Sequence, residues 1–320
     1  MRVGIAGAGF MAETHAAAYG EMDVDVVGVA SPSGPEGFVE GHELEASAYT
    51  DVAAMCDVED LDFLDVCTPT HTHLDVVRTA ADAGIDVFLE KPIAESVEEA
   101  RRIQETVEEA ELTFMVGHVV RFLPDYVQAA DLDIGEPGVA RARRLSPFPD
   151  WGSEDWFADR EKSGGIFVDL AIHDLDYLRW CWGDVERVFA RRHRERHAEH
   201  GFATLRFESG AVGYVEASWA QPESRPFTKE LELAGDDGLV ELSSVDESPY
   251  RQWTADGAVV ESPHARDGYR RELEHFVSCV ETGEEPAVGA GEAIESLGLA
   301  LAAERSADRN EPVTVREVVA

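Results

Sequence analysis

A short apolar run, Arg2 to Ala6, ends on Gly7-Ala8-Gly9, passes into Phe10 to Tyr19, which has helix-compatible composition, and then into a second apolar run, Val24 to Ala30. Strand, glycine turn, helix, strand is the opening of a βαβ unit. In such a turn the first glycine makes the tight bend and the second lets the backbone approach a pyrophosphate, while the helix N-terminus receives the negative charge. Ala12 stands where a third glycine is usual and still permits close packing of helix on strand. The motif constrains fold and ligand together: it predicts a dinucleotide cradle made by Gly7, Gly9, Phe10 and Met11.

The alternation persists through Phe63 to Cys67, a helix from Leu74 to Ala83, Val87 to Leu89, a helix from Val97 to Ala110, and Thr113 to Val116. Strands alternating with helices predict an α/β fold, a Rossmann doubly wound parallel sheet over residues 1–120, with ligands at the carboxyl ends of its strands. After Arg121-Phe122-Leu123-Pro124 the rhythm changes. A Pro/Trp-rich stretch from Pro147 to Trp156 leads into one helix, Phe167 to Trp182, and then strand-like runs at Val185 to Arg192, Gly201 to Phe207, Val212 to Trp219, Lys229 to Ala234 and Gly238 to Leu242. Their period-two alternation predicts that residues 121–320 form an α+β domain with a largely antiparallel sheet. Tyr269 to Glu281 and Glu292 to Ser306 read as closing helices, and Val313 to Val319 as a last strand.

The charge is extreme: 27 Lys+Arg against 65 Asp+Glu give a net −38, and the lysines are only Lys91, Lys162 and Lys229. Such a surface repels itself and disfavours nucleic acid or an anionic membrane as partner. The acid is spread over the chain, as in Glu95, Glu98, Glu99, Asp236, Asp237, Glu284 and Glu285, so a whole-surface adaptation to a salt-rich cytoplasm is expected. There a Debye length of about 3 Å at 1 M screens the repulsion. Cys56, Cys67, Cys181 and Cys279 form no CxxC pair and read as free thiols in a reducing compartment. With no leader-like segment before the first strand and no run of eighteen apolar residues, a cytoplasmic protein is expected.

Three further segments carry chemistry. The second strand ends Val29-Ala30-Ser31-Pro32-Ser33, without the acid that would grip the adenosine ribose; Ser31 and Ser33 can donate to a 2′-phosphate, which tilts the cofactor expectation from NAD toward NADP. Glu90-Lys91-Pro92 ends a strand of the parallel sheet, on the edge where a nicotinamide sits. The proline after Lys91 makes a cis peptide an expectation there. Asp169 and His173 are spaced i, i+4, with Asp176 at i+7, which places all three along one face of a helix. A carboxylate and an imidazole so placed can hold a substrate hydroxyl and take its proton. No metal is needed, because an ammonium can do the polarising.

Together these pieces resemble the Gfo/Idh/MocA oxidoreductase family over nearly the whole chain: Gly7-Ala8-Gly9 with His15 downstream, Cys67-Thr68-Pro69-Thr70-His71-Thr72-His73, Glu90-Lys91-Pro92, Arg121-Phe122-Leu123-Pro124, and Ser163 to Asp174. The resemblance implies that Lys91, Asp169 and His173 are catalytic, that Thr68, Pro69, His71 and Glu90 lie near the cofactor, and that Arg121 and Trp156 join Asp169 and His173 around the substrate. Ala12, Ser31, Val119 and Ile166 depart from the usual pattern. The implied activity is NAD(P)-dependent hydride transfer at a secondary alcohol or ketone of a sugar, cyclitol or related polyol. A cofactor-retaining glycosidase or epimerase and a non-catalytic nucleotide-binding sensor are the alternatives. The second sheet needs cover on two faces, so a homodimer or homotetramer is expected, with Phe202, Tyr214 and Trp219 as apolar contacts.

Overall fold

The computed structural model describes residues 1–149, 157–196, 198–245, 250–254, 257–261 and 268–320, and the chain divides into two compact units. The first comprises residues 1–119 and 267–294. Its strands are β1 (Arg2–Ala6), β2 (Asp25–Ala30), β3 (Ser47–Tyr49), β4 (Phe63–Val66), β5 (Asp86–Glu90) and β6 (Phe114–Gly117). All pair in parallel, in the order β3-β2-β1-β4-β5-β6. This is the order of a doubly wound dinucleotide-binding sheet, with its reversal between β1 and β4. β4 and β6 are buried at every residue, as strands covered on both faces must be.

The helices of this unit are α1 (Phe10–Tyr19), α2 (Glu36–Gly41), α3 (Val52–Val58), α4 (His73–Ala83) and α5 (Val97–Glu109). Their ends follow from local chemistry. Ser96 Oγ accepts from Glu99 N at 3.2 Å to cap α5, whose first turn carries Glu98 and Glu99 against the helix dipole. α4 stops at Gly84, which adopts the left-handed conformation at φ 67°.

The sequence reading assigned everything beyond residue 120 to the second domain, but residues 267–294 return to the first unit. The reason is an apolar stripe. Leu273, Phe276 and Cys279 are buried, and the Phe276 ring lies 5.4 Å from that of Phe63 and 5.6 Å from that of Phe88. Val116 N also donates to Val288 O at 2.9 Å.

The second unit comprises residues 120–266 and 295–320. It contains α6 (Pro124–Ala130), β7 (Pro137–Leu145), α7 (Arg160–Ser163), a π-helical turn (Phe167–Ala171), α8 (Ile172–Trp182), β8 (Val185–Glu195), β9 (Ala198–Phe207), β10 (Val212–Ser218), β11 (Thr228–Gly235), β12 (Gly238–Ser243), β13 (Tyr250–Thr254) and β14 (Gly257–Glu261). After α9 (Gly268–Thr282) and α10 (Ala290–Arg309), the latter running from one unit into the other, come β15 (Val313–Thr314) and α11 (Arg316–Val319). The strands form one sheet in the order β14-β13-β12-β11-β7-β10-β9-β8-β15. It is antiparallel except for the parallel pair β7 and β10.

Two expectations change. The segment after residue 313 is a two-residue strand followed by a helical turn, not one strand. Trp219 is 3 % exposed, with its ring edge-on to Phe148 and Phe157, so it belongs to the core and not to an outer face. Phe202 and Tyr214 do share a half-buried face and stack at 5.9 Å. On it Arg141 pairs with Glu232, and Arg143 with Glu216 and Glu230. Among the described residues no helix is long and apolar enough to cross a membrane.

Candidate active site

In the first unit the carboxyl ends of β1, β4 and β5 lie along one edge of the sheet. Gly7 has φ +116°, and a Cβ there would meet Cys67 O at 2.5 Å, so only glycine fits the turn. Gly9 precedes α1 without a side-chain cap, and among the described residues nothing lies within 4 Å of where its Cβ would be. The N-terminus of α1 therefore opens on clear space at Gly9, which suits a pyrophosphate. Ala12 is fully buried, while Phe10 beside it is 50 % exposed and Met11 is half-buried. These residues fit the phosphate bridge of a dinucleotide. At the end of β2, Ser31 Oγ and Ser33 Oγ are 3.2 Å apart.

The loop after β4 is built by its own side chains. Thr72 Oγ1 donates within 2.8 Å of both Thr68 Oγ1 and Pro69 O, and Pro69 and His71 are exposed. His73, to which the sequence reading gave no role, is buried with Nε2 3.0 Å from Thr68 O and Nδ1 3.3 Å from Ile93 O. It thus ties the loop after β4 to the loop after β5. Burial lowers its pKa, against the raising effect of those carbonyls. Lys91, at the end of β5, is half-buried, and the Lys91–Pro92 peptide is cis. Glu90 is 6 % exposed; one carboxylate oxygen accepts from Lys91 N at 3.1 Å and the other lies 3.3 Å from His15 Nε2. Its carboxylate is committed inside the unit, an arrangement that its expected place beside a cofactor did not foretell.

In the second unit Asp169 belongs to the π-helical turn and His173 to the first turn of α8. Both are half-buried, whereas Leu170, Ala171, Ile172, Asp174 and Leu175 around them are buried. Such turns recur at functional sites. Asp176 does not share their open face as the spacing predicted. It is 0 % exposed, holding the Arg121 guanidinium through two bonds of 2.8 Å and 2.6 Å and accepting from Ser296 Oγ at 2.6 Å. Arg121, expected at the substrate, is therefore 5 % exposed and locked to Asp176. Trp156, the other expected contact, lies outside the described residues.

The segment carrying Asp169 is anchored from a distance. Glu304 accepts from Phe167 N at 3.2 Å and pairs with Arg160 and Arg192, while Glu199 accepts from Ile166 N and pairs with Arg192 at 3.2 Å. Burial raises the pKa of both carboxyls, and the guanidiniums oppose it. Neither glutamate carries a local sequence signal; they are known only once the strand and helix meet. Asp65 carries one, as a lone carboxylate in the apolar strand Phe63-Leu64-Asp65-Val66.

Residues 1–118 match the oxidoreductase family, NAD-binding Rossmann fold, and residues 129–241 match the GFO/IDH/MocA C-terminal domain. The chain is 32 % identical over 263 residues to D-xylose 1-dehydrogenase (NADP(+)) 2 of Haloferax volcanii, covering 78 % of this chain and 79 % of that one. It is 28 % identical to myo-inositol 2-dehydrogenase of Thermotoga maritima over 100 % of both chains. A solved structure, a probable dehydrogenase from Thermotoga maritima, superposes with a TM-score of 0.86 at 27 % identity, covering 99 % of this chain and 100 % of that one. With its nucleotide cradle and both sequence regions matched in order, the chain belongs to the Gfo/Idh/MocA family of NAD(P)-binding oxidoreductases.

Proposed function

We propose that the protein is an NAD(P)-dependent dehydrogenase that moves a hydride between the nicotinamide and a secondary alcohol or ketone carbon of a sugar, cyclitol or related polyol. The observation that carries this reading is one sheet edge with an open, uncapped Gly9 helix end on β1 and the half-buried Lys91 on β5. When bound, the nicotinamide accepts or gives the hydride. In the oxidation direction His173 takes the proton of the reacting hydroxyl. Lys91 donates to the same oxygen and stabilises its developing charge, and Asp169 orients the hydroxyl. Gly7, Gly9, Phe10, Met11, Thr68, Pro69 and His71 hold the cofactor. Ser31 and Ser33, together with the NADP in the Haloferax relative's name, favour NADP over NAD.

The net charge of −38 supports a salt-rich cytoplasm as the setting, and the four cysteines are free thiols as a reducing compartment requires. The sheet face bearing Phe202 and Tyr214 supports association of copies into a homodimer or homotetramer. The deciding experiment incubates the enzyme in molar KCl with D-xylose, D-glucose, myo-inositol and scyllo-inositol, each with NAD and with NADP, and follows reduced nicotinamide. Stoichiometric reduction with a member of the panel supports the reading; turnover of substrate without it would move the protein to the cofactor-retaining class.

A further inference from the structure

Beneath the strand end that carries Lys91 lies a row of charged side chains that the chemistry above leaves unused. His15, from α1, is 0 % exposed and sits between two carboxylates. Its Nδ1 is 2.9 Å from Asp65 Oδ2 on β4, and its Nε2 is 3.3 Å from Glu90 Oε1 on β5. Asp65 also accepts from the Tyr19 hydroxyl at 3.0 Å and the Cys67 thiol at 3.3 Å. Direct hydrogen bonds thus span the distances among His15, Asp65 and Cys67. Phe88 and Tyr269 lie against the His15 ring at 5.5 Å and 6.2 Å between centroids, and Glu272 on α9 is a further buried acid of this neighbourhood.

Glu90 is the link to function. Its other carboxylate oxygen receives the backbone N–H of Lys91 at 3.1 Å. A neutral imidazole carries one ring proton. With Nδ1 bonded to Asp65, Nε2 is buried without a hydrogen bond and faces the Glu90 carboxylate at 3.3 Å, a contact that is attractive by charge when the ring is an imidazolium and repulsive to a bare lone pair. Burial by itself pushes the His15 pKa down, but the Asp65 carboxylate beside it overrides this and holds it well above the ordinary value. Burial likewise pushes the Cys67 thiol up, so it stays protonated and adds no charge.

We infer that Asp65, His15 and Glu90 form a buried positioning relay, in which the charge of the imidazolium holds the Glu90 carboxylate and Glu90 in turn accepts from the Lys91 peptide. His15 and Asp65 act through Glu90 and touch neither substrate nor cofactor. The inference rests on Lys91 being the oxyanion-stabilising residue of the proposed reaction, yet its geometry can be tested without turnover. The test uses two near-isosteres: glutamine reproduces the Nε2 side of histidine and keeps a donor toward Glu90, whereas asparagine reproduces the Nδ1 side and keeps only the contact with Asp65.

Two measurements on the full chain decide it. With only three lysines, reductive ¹³C-methylation gives a resolvable signal for Lys91, identified by its loss in Lys91→Arg. The Lys91 signal should move in His15→Asn and Glu90→Gln and return in His15→Gln, while those of Lys162 and Lys229 stay fixed. In parallel, ¹⁵N spectra of histidine-labelled protein should show both His15 ring nitrogens protonated at neutral pH. An unmoved Lys91 signal in His15→Asn, or a neutral His15 ring, overturns the relay whether or not the panel yields a substrate. On whichever panel substrate turns over, His15→Asn should lose kcat by about ten- to a hundred-fold, the cost of a misplaced reacting group, with KM for the cofactor little changed and His15→Gln largely rescued. Equal loss in both variants, tracking their melting temperatures, would make His15 a core residue only.

Discussion

The pair of Arg144 and Asp174 allows a quantitative test of how α8 is held on its sheet. The two side chains are 5 % and 2 % exposed and joined by bonds of 3.0 Å and 2.8 Å, one from Arg144 Nε and one from Nη2. Asp174 immediately follows His173, so the pair fixes the azimuth of the proposed base. Removing one partner of a buried pair costs about 3–5 kcal/mol, because the other charge stays desolvated; removing both for apolar side chains is often close to neutral. The surroundings break the symmetry between the partners. Lys229, its pKa lowered by burial and then by Arg144, also feels Asp174 and Asp125. In Arg144→Met the Lys229 ammonium partly compensates Asp174, which puts the loss near 3 kcal/mol, the lower end of that range. In Asp174→Leu the Arg144 guanidinium loses its paired carboxylate and Lys229 loses one of the anions acting on it, which puts the loss near 5 kcal/mol, the upper end. At about 2–4 °C per kcal/mol for units of this size, the melting temperatures should fall by roughly 6–12 °C and 10–20 °C. The double variant Arg144→Met/Asp174→Leu should recover most of the loss, giving a coupling of several kcal/mol. Thermal unfolding followed by circular dichroism in 2 M KCl measures all four proteins. Additive losses, with the double variant worse than either single one, would refute the reasoning.

Other outcomes follow from the same structure. Lys91→Ala and His173→Ala should each lower turnover by about 10²-fold or more without loss of fold; near-normal rates in both would remove them from the chemistry. His15 has its pKa raised above 6.5 in the folded state, so the stability it adds is complete below about pH 6.5 and is lost as pH climbs through the raised value. The urea midpoint gap between wild type and His15→Gln should therefore shrink from pH 6 to pH 10, and a constant gap would count against a charged His15. With a net charge of −38, melting temperature and activity should rise together as KCl goes from about 0.1 M to 2 M, where the Debye length drops from about 10 Å to below 3 Å; a flat response would end the salt-adaptation reading. Light scattering at micromolar concentration in high salt should give a mass above one chain, and a monomer would exclude the homo-oligomer.

Much of this molecule is legible in its residues, and where it is not the reason is physical. The glycine turn and the apolar runs Arg2–Ala6 and Phe63–Val66 announce a parallel sheet because strands buried on both faces have no polar alternation to hide them. β7 escaped for the opposite reason. Its Arg141, Arg143 and Arg144 interrupt any apolar run, and they are accommodated in the strand only by pairing with Glu232, Glu216, Glu230 and Asp174 from other elements. Asp176 misled the helical-face argument because its partner, Arg121, is remote in sequence, and because the π-helical turn ahead of α8 breaks the even α-helical spacing that was assumed. Local pattern reports which residues face inward; it does not report which distant charge makes an inward carboxylate tolerable.

The return of α9 to the first unit bears on how the protein is made. The parallel sheet is complete in its strands once residue 117 has been synthesised, yet the ring that covers Phe63 and Phe88 is Phe276. Until that residue leaves the ribosome, one apolar side of a finished sheet waits in solution, the kind of partly folded species that aggregates or recruits chaperones. Residues 120–266 are meanwhile threaded between the two pieces of the first unit. If they collapse first, they shorten the loop that α9 must close and lower its entropic cost. A gene fragment cut at residue 120 would therefore be a poor stand-alone nucleotide-binding module, whereas residues 1–119 joined by a short linker to 268–289 would restore the missing cover.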